Sequence, residues 1–129
     1  MRKVEYKPGF YFSNGDQVLE VVNTMPTRPD TLITINEDKE EVRIKEDKLY
    51  KIRLDDEWLG NLGFKTEKVF HQDGNLKFSL KKNGPAYYIY EEDLTDGQTK
   101  KILVLTVHEL QNYYLNICGR VPTQGEPVA

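Results

Sequence analysis

The sequence predicts an α+β fold: an N-terminal small antiparallel SH3-like β-barrel, followed by an α-β-β-β-β-α unit with an antiparallel sheet and a C-terminal helix. Three observations predict it. Five short runs of β-branched and aromatic residues crowd the first half, each closed by turn-forming residues. Alternating runs recur in the second half around Asp73-Gly74-Asn75 and Asn83-Gly84-Pro85. The stretch Lys100 to Gly119 then reads as a strand passing directly into an amphipathic helix. The expected organisation is a barrel-like lobe over residues 1–53 and an α+β lobe over 54–119, either as two lobes or joined in one compact domain, with a flexible tail over 120–129.

In the first half, Phe10-Tyr11-Phe12 forms a short strand, Ser13-Asn14-Gly15-Asp16 a hairpin turn and Gln17 to Val22 its partner. Asn23 to Asp30 holds Pro26 and Pro29, which lack amide donors, so a loop is expected there. Thr31 to Ile35 and Val42 to Ile44 are the next strands, joined by the polar Asn36 to Glu40. A single turn near Asp47 to Tyr50 leads into an alternating fifth strand, Lys51-Ile52-Arg53-Leu54.

In the second half, Asp55 caps a short helix carrying Trp58, Leu59 and Leu62, which Gly63 ends and Phe64 packs back upon. Strands follow at Thr66 to Gln72, Leu76 to Leu80 and Ala86 to Tyr90, then an acidic loop from Glu91 to Gln98 and the strand Lys100 to Leu105. Thr106 and Glu109 have capping-box spacing, with Leu105 and Leu110 placed as a hydrophobic staple. Val107, Leu110, Tyr114, Ile117 and Cys118 make the apolar stripe of the last helix, and Gly119 stops it.

The chain has 129 residues, with 18 basic and 21 acidic side chains and a formal charge of −3, which supplies no global basic field for nucleic acid or anionic membrane. Ten basic and ten acidic residues precede Leu54, while eight and eleven follow, so the acidity lies in the second half. One cysteine, Cys118, fits a reducing compartment. No apolar run has the length of a membrane span, and Met1 to Lys7 has none of the apolar character of a leader, so a cytoplasmic protein is expected.

No catalytic, cofactor or metal site is expected. His108-Glu109-Leu110-Gln111-Asn112 resembles HExxH with its second histidine replaced by Asn, a poor zinc ligand, and the other histidine, His71, falls on a separate strand. His108 and Cys118 are roughly 15 Å apart along one helix and cannot share an ion. Cys118 ends a helix whose dipole disfavours a thiolate, and the loop Glu91 to Gly97 lacks the alternating ligands of an EF-hand. For nucleic acid, Phe10, Tyr11 and Phe12 with Arg43, Lys45, Lys51 and Arg53 offer aromatics and cations, yet a barrel core would consume the rings and Glu40, Glu41, Glu46 and Asp47 balance the charge.

The second half resembles a group of small phage, prophage and mobile-element proteins of Bacteroidota. The resemblance rests on Leu54-Asp55-Asp56-Glu57-Trp58-Leu59, Leu62-Gly63-Phe64, and Val107-His108-Glu109-Leu110-Gln111-Asn112-Tyr113-Tyr114 leading to Gly119. It departs at the Asp in the first helix cap, where Thr is usual, at the missing proline before that cap, and in the longer acidic loop. It implies a phage or mobile-element setting and carries no catalytic residue. With that setting, the expected function is a non-catalytic protein that binds a host protein or ribonucleoprotein, as an inhibitor of a bacterial defence system such as a CRISPR nuclease. A nucleic-acid-binding or phage structural accessory module is the alternative. Period-two alternation puts Tyr88 and Tyr90 opposite Tyr87 and Ile89, so the expected partner-binding surface is Tyr88 and Tyr90 with Glu91, Glu92, Asp93 and Asp96, steering toward a basic partner.

Overall fold

A computed structural model describes residues 5–125, which divide into two compact units, one ending at Ile52 and the other beginning at Arg53. Each is built on a four-stranded antiparallel sheet with neighbouring strands in sequence order, and both α-helices among the described residues belong to the second, giving an α+β chain. No helix among the described residues is long and apolar enough to cross a membrane.

In the first unit the strands are β1 (Tyr11–Ser13), β2 (Val18–Met25), β3 (Arg28–Ile35) and β4 (Glu41–Lys45). The first turn forms as its residues dictate: Asn14 Oδ1 accepts the amides of Asp16 at 2.9 Å and Gln17 at 2.7 Å, and Gly15 takes a φ of 101°. The stretch expected as a loop, Asn23 to Asp30, is instead mostly strand. Met25 pairs with Arg28 across a tight turn at Pro26-Thr27, and a register shift between Thr24 and Met25 accommodates Pro29 in β3 without demanding a donor from it. Asn36 holds the next turn, its Oδ1 accepting the amides of Asp38 and Glu40 at 3.0 Å each.

The SH3-like barrel does not close. β1 to β4 form an open meander, followed by a 3-10 turn at Glu46–Lys48, and among the described residues only Tyr50 returns to the β1 edge, exchanging two backbone bonds with Ser13. The expected fifth strand is absent because its residues divide between the units. Arg53 forms a bridge with Thr106, and the Leu54 amide donates to the Leu105 carbonyl at 3.0 Å. Phe10, Tyr11 and Phe12 are buried together with Leu19, Val21 and Leu32, so those rings are spent on packing.

The second unit runs α1 (Asp56–Asn61), β5 (Lys68–Asp73), β6 (Leu76–Asn83), β7 (Ala86–Asp93), β8 (Thr99–Val104) and α2 (Val107–Cys118). Asp55 caps α1 by accepting the Trp58 amide at 2.8 Å. A Schellman motif ends it: the Phe64 amide bonds the Leu59 carbonyl, the Gly63 amide bonds the Gly60 carbonyl, and Gly63 has a φ of 85°. That motif turns Phe64 inward, edge-on to Phe70 of β5 at 5.4 Å and to Tyr114 of α2 at 5.6 Å. Phe70 is the extra residue of a bulge between Val69 and His71, which delivers its ring to this cluster. Phe78, Leu80, Tyr87, Ile89 and Val104 complete the inner face of the sheet.

α2 starts at Thr106 and ends at Gly119, whose left-handed φ of 79° lets its amide reach the Leu115 carbonyl at 2.9 Å. The expected capping box is not made. Thr106 Oγ1 donates to the Glu109 carboxylate at 2.7 Å and lies 3.1 Å from His108 Nδ1, instead of accepting a helix amide. The staple fails too: Leu110 is buried but Leu105 is 55% exposed, because strand alternation directs it to the outer face. His108 and Gln111 share the buried stripe with Val107, Leu110 and Tyr114, while Ile117 and Cys118 are only half-buried. Residues of the expected tail contact the rest of the second unit. Gln111 Nε2 donates to the buried Pro122 carbonyl at 2.9 Å and the Gly125 amide donates to the Asn61 carbonyl at 3.2 Å. Residues 126–129 of that tail, like residues 1–4, lie outside the described residues.

Candidate functional site

The outer face of the second sheet is where the sequence-derived surface residues fall. Alternation along β7 buries Tyr87 and Ile89 and leaves Tyr88 and Tyr90 half-exposed on the opposite face. Register then decides their neighbours. Tyr88 stands between Lys81 of β6 and Leu103 of β8, and Tyr90 between Ser79 and Lys101. The lysines reach diagonally: Lys101 Nζ lies 4.2 Å from the Tyr88 ring centroid and Lys81 Nζ 5.1 Å from that of Tyr90. Val69 and Leu103, each 47% exposed, extend the same face with apolar area.

The acidic residues do not gather around these rings. Only Glu92 shares the tyrosine face, opposite Lys77. Glu91 points the other way, toward α2, where its carboxylate accepts the Tyr113 hydroxyl; burial and then this carboxylate drive the Tyr113 phenol far above its ordinary value. Asp93 and Asp96 shape the β7–β8 turn, each accepting a backbone amide two residues on, from Thr95 and Gln98, at 2.9 Å. The face is therefore aromatic and locally basic. Lys81 and Lys101 are the surface residues sequence reading missed. The alternation Lys77-Ser79-Lys81 was visible on its own strand, but which tyrosine each lysine covers depends on register.

On the inner side, Asp56 of α1 ties the helix to the sheet at the β6–β7 turn end. Its carboxylate accepts the Tyr87 hydroxyl and lies 3.3 Å from Lys82 Nζ, whose ammonium also sits over the Tyr87 ring at 5.4 Å. The Tyr87 bond and then Lys82 hold the Asp56 carboxyl below the usual range, and burial with the Asp56 bond pushes Tyr87 up to about 12. Burial raises the Cys118 thiol, opposing a thiolate. His71 lies against Phe78 at 5.7 Å and His108 beside Thr106, and among the described residues no three His, Cys, Asp or Glu side chains are grouped to hold a metal ion. The chemistry available on this surface is stacking, apolar contact and attraction of anions.

Searches against protein-family models and curated proteins find no match to this sequence.

Proposed function

We propose that the chain is a small non-catalytic protein of a phage or mobile element that acts in the host cytoplasm by binding a host protein or ribonucleoprotein, as an inhibitor of a defence system. The phage-like sequence resemblance motivates the setting, and the outer face of the second sheet carries the binding reading. Tyr88 and Tyr90 supply the large rigid contact area that concentrates binding energy at interfaces, and the flanking Lys81 and Lys101 steer an anionic partner toward them. The first unit, read as an incomplete SH3-like roll, serves as a second scaffold whose aromatic residues are committed to packing.

The test is affinity capture from lysate of a defence-bearing bacterium, with the wild-type chain, a Tyr88→Ala/Lys101→Glu variant and a control altered at Glu37→Lys in the first unit. The reading expects one host component retained by wild type and control and lost by the face variant, with relief of defence following the same pattern. Equal retention by all three folded proteins would place the contact elsewhere.

A further inference from the structure

The partner chemistry that this face fits can be narrowed, on the reading that it is the contact surface. We propose that Tyr88, Tyr90, Lys81 and Lys101 form a platform for single-stranded nucleic acid, the component of a ribonucleoprotein that the second sheet would engage.

Three features carry the assignment. The first is ring spacing. Tyr88 and Tyr90 alternate on a single interior strand, so their Cα atoms stand roughly 7 Å apart along β7 and both rings rise from the same side of the sheet. Two aromatics in that relation can each receive one base of an extended strand, and such stacking tolerates any base because every base presents a π-face. The second is the placement of charge. Lys81 and Lys101 flank the tyrosines on the two neighbouring strands, and each ammonium rests over a ring. Their long side chains can move aside to meet phosphates when a base takes the ring face, exchanging a modest cation–π contact for a charge-assisted one. The third is the removal of competing charge. Glu91 faces α2 and serves Tyr113, while Asp93 and Asp96 accept turn amides, which leaves Glu92 as the carboxylate of β7 on this face. The overall charge of −3 does not decide the matter, because at physiological salt charges beyond about 8 Å are largely screened and the local face governs contact.

An acidic protein would also meet the lysines and could cover the rings, but it does not require two of them at strand spacing, whereas successive bases of an extended strand do. A duplex would meet the lysines and keep its bases stacked away from the tyrosines. Single strands use both.

Fluorescence anisotropy with the full chain and labelled dT12 or rU12, beside the same oligonucleotide annealed to its complement, tests the assignment. The expected result is preference for the single strands. For two or three lysine–phosphate contacts, log K should fall with log[salt] at a slope between about −1.4 and −2.1. Tyr88→Ala and Tyr90→Ala should each weaken binding roughly five-fold or more, Tyr88→Phe should retain it, and Lys101→Gln should lower the slope by about 0.7. Far-UV circular dichroism and melting identify any variant that fails to fold, and Tyr88→Phe with Lys101→Gln keep the test available if the alanine variants do not. Absence of binding at 50 mM salt, or binding indifferent to the folded tyrosine and lysine variants, would overturn the assignment. If the lysate capture still depends on Tyr88 and Lys101, an acidic protein surface would then be the partner and the broader binding role would stand.

Discussion

Replacing Gln111 by leucine probes the one fully buried side-chain amide on α2. Its side chain has no measurable exposure and its Nε2 donates at 2.9 Å to the carbonyl of Pro122, itself buried. Leucine has similar bulk and opens little cavity, so the main loss is the hydrogen bond and the stranding of a carbonyl acceptor away from water. A buried group left unsatisfied costs about 1–3 kcal/mol. For a cooperative unit of this size, each kcal/mol lowers Tm by roughly 4–8 °C, so a fall on the order of 10 °C is expected. Gln111→Ala adds a cavity and should cost more, about 2–4 kcal/mol in total. Urea denaturation followed by circular dichroism reads both. Truncation after Gly119 supplies the control: with the Pro122 segment gone, the hydrogen-bond part of the Gln111→Leu penalty should shrink because that partner is already missing. A Gln111→Leu protein as stable as wild type, or an equal penalty in the truncated chain, would refute the claim that this amide pins the C-terminal segment.

Thr106→Ala should cost about 0.5–1 kcal/mol in the same assay through loss of the Glu109 contact, with Thr106→Ser close to wild type. Asp55→Ala should cost about 1 kcal/mol through loss of the Trp58 amide bond. The Tyr87 phenol is raised from its ordinary 10.0 to about 12 in the folded chain, so between those values the unfolded state releases its proton first. Stability from this group is therefore whole below pH 10 and falls as pH rises toward 12, and an alkaline melting series should show a shallower decline for Tyr87→Phe than for wild type.

Much of the second unit was legible because local signals agreed there. Asp55 before an acidic first turn, Gly63 before Phe64, and the two hairpin turns each act over a few residues, and each formed where expected. The misses arise where one residue had two plausible uses. Thr106 and Glu109 have capping-box spacing, yet their side chains bond each other, with His108 Nδ1 close by. Leu105 has staple spacing, yet strand alternation carries it outward. Lys51 to Leu54 alternates like a strand, yet the boundary between the units falls within it. Pro29 argued for a loop, and a register shift let β3 contain it. At the candidate site, the outward tyrosines followed from period two alone. Their lysine neighbours followed only from cross-strand register, and the dispersal of Glu91, Asp93 and Asp96 only from the partners each one takes.

If the Tyr88–Tyr90 face of the second sheet is the working surface, hydrogen exchange on the chain with and without its captured host component will map the contact there. Amides of β7 and β8 from Ala86 to Val104 should gain protection in the complex, while the β1–β4 sheet of the first unit keeps its exchange rates. Protection confined to the first unit, with β7 and β8 unchanged, would rule out the tyrosine face and put the contact on the β1–β4 sheet.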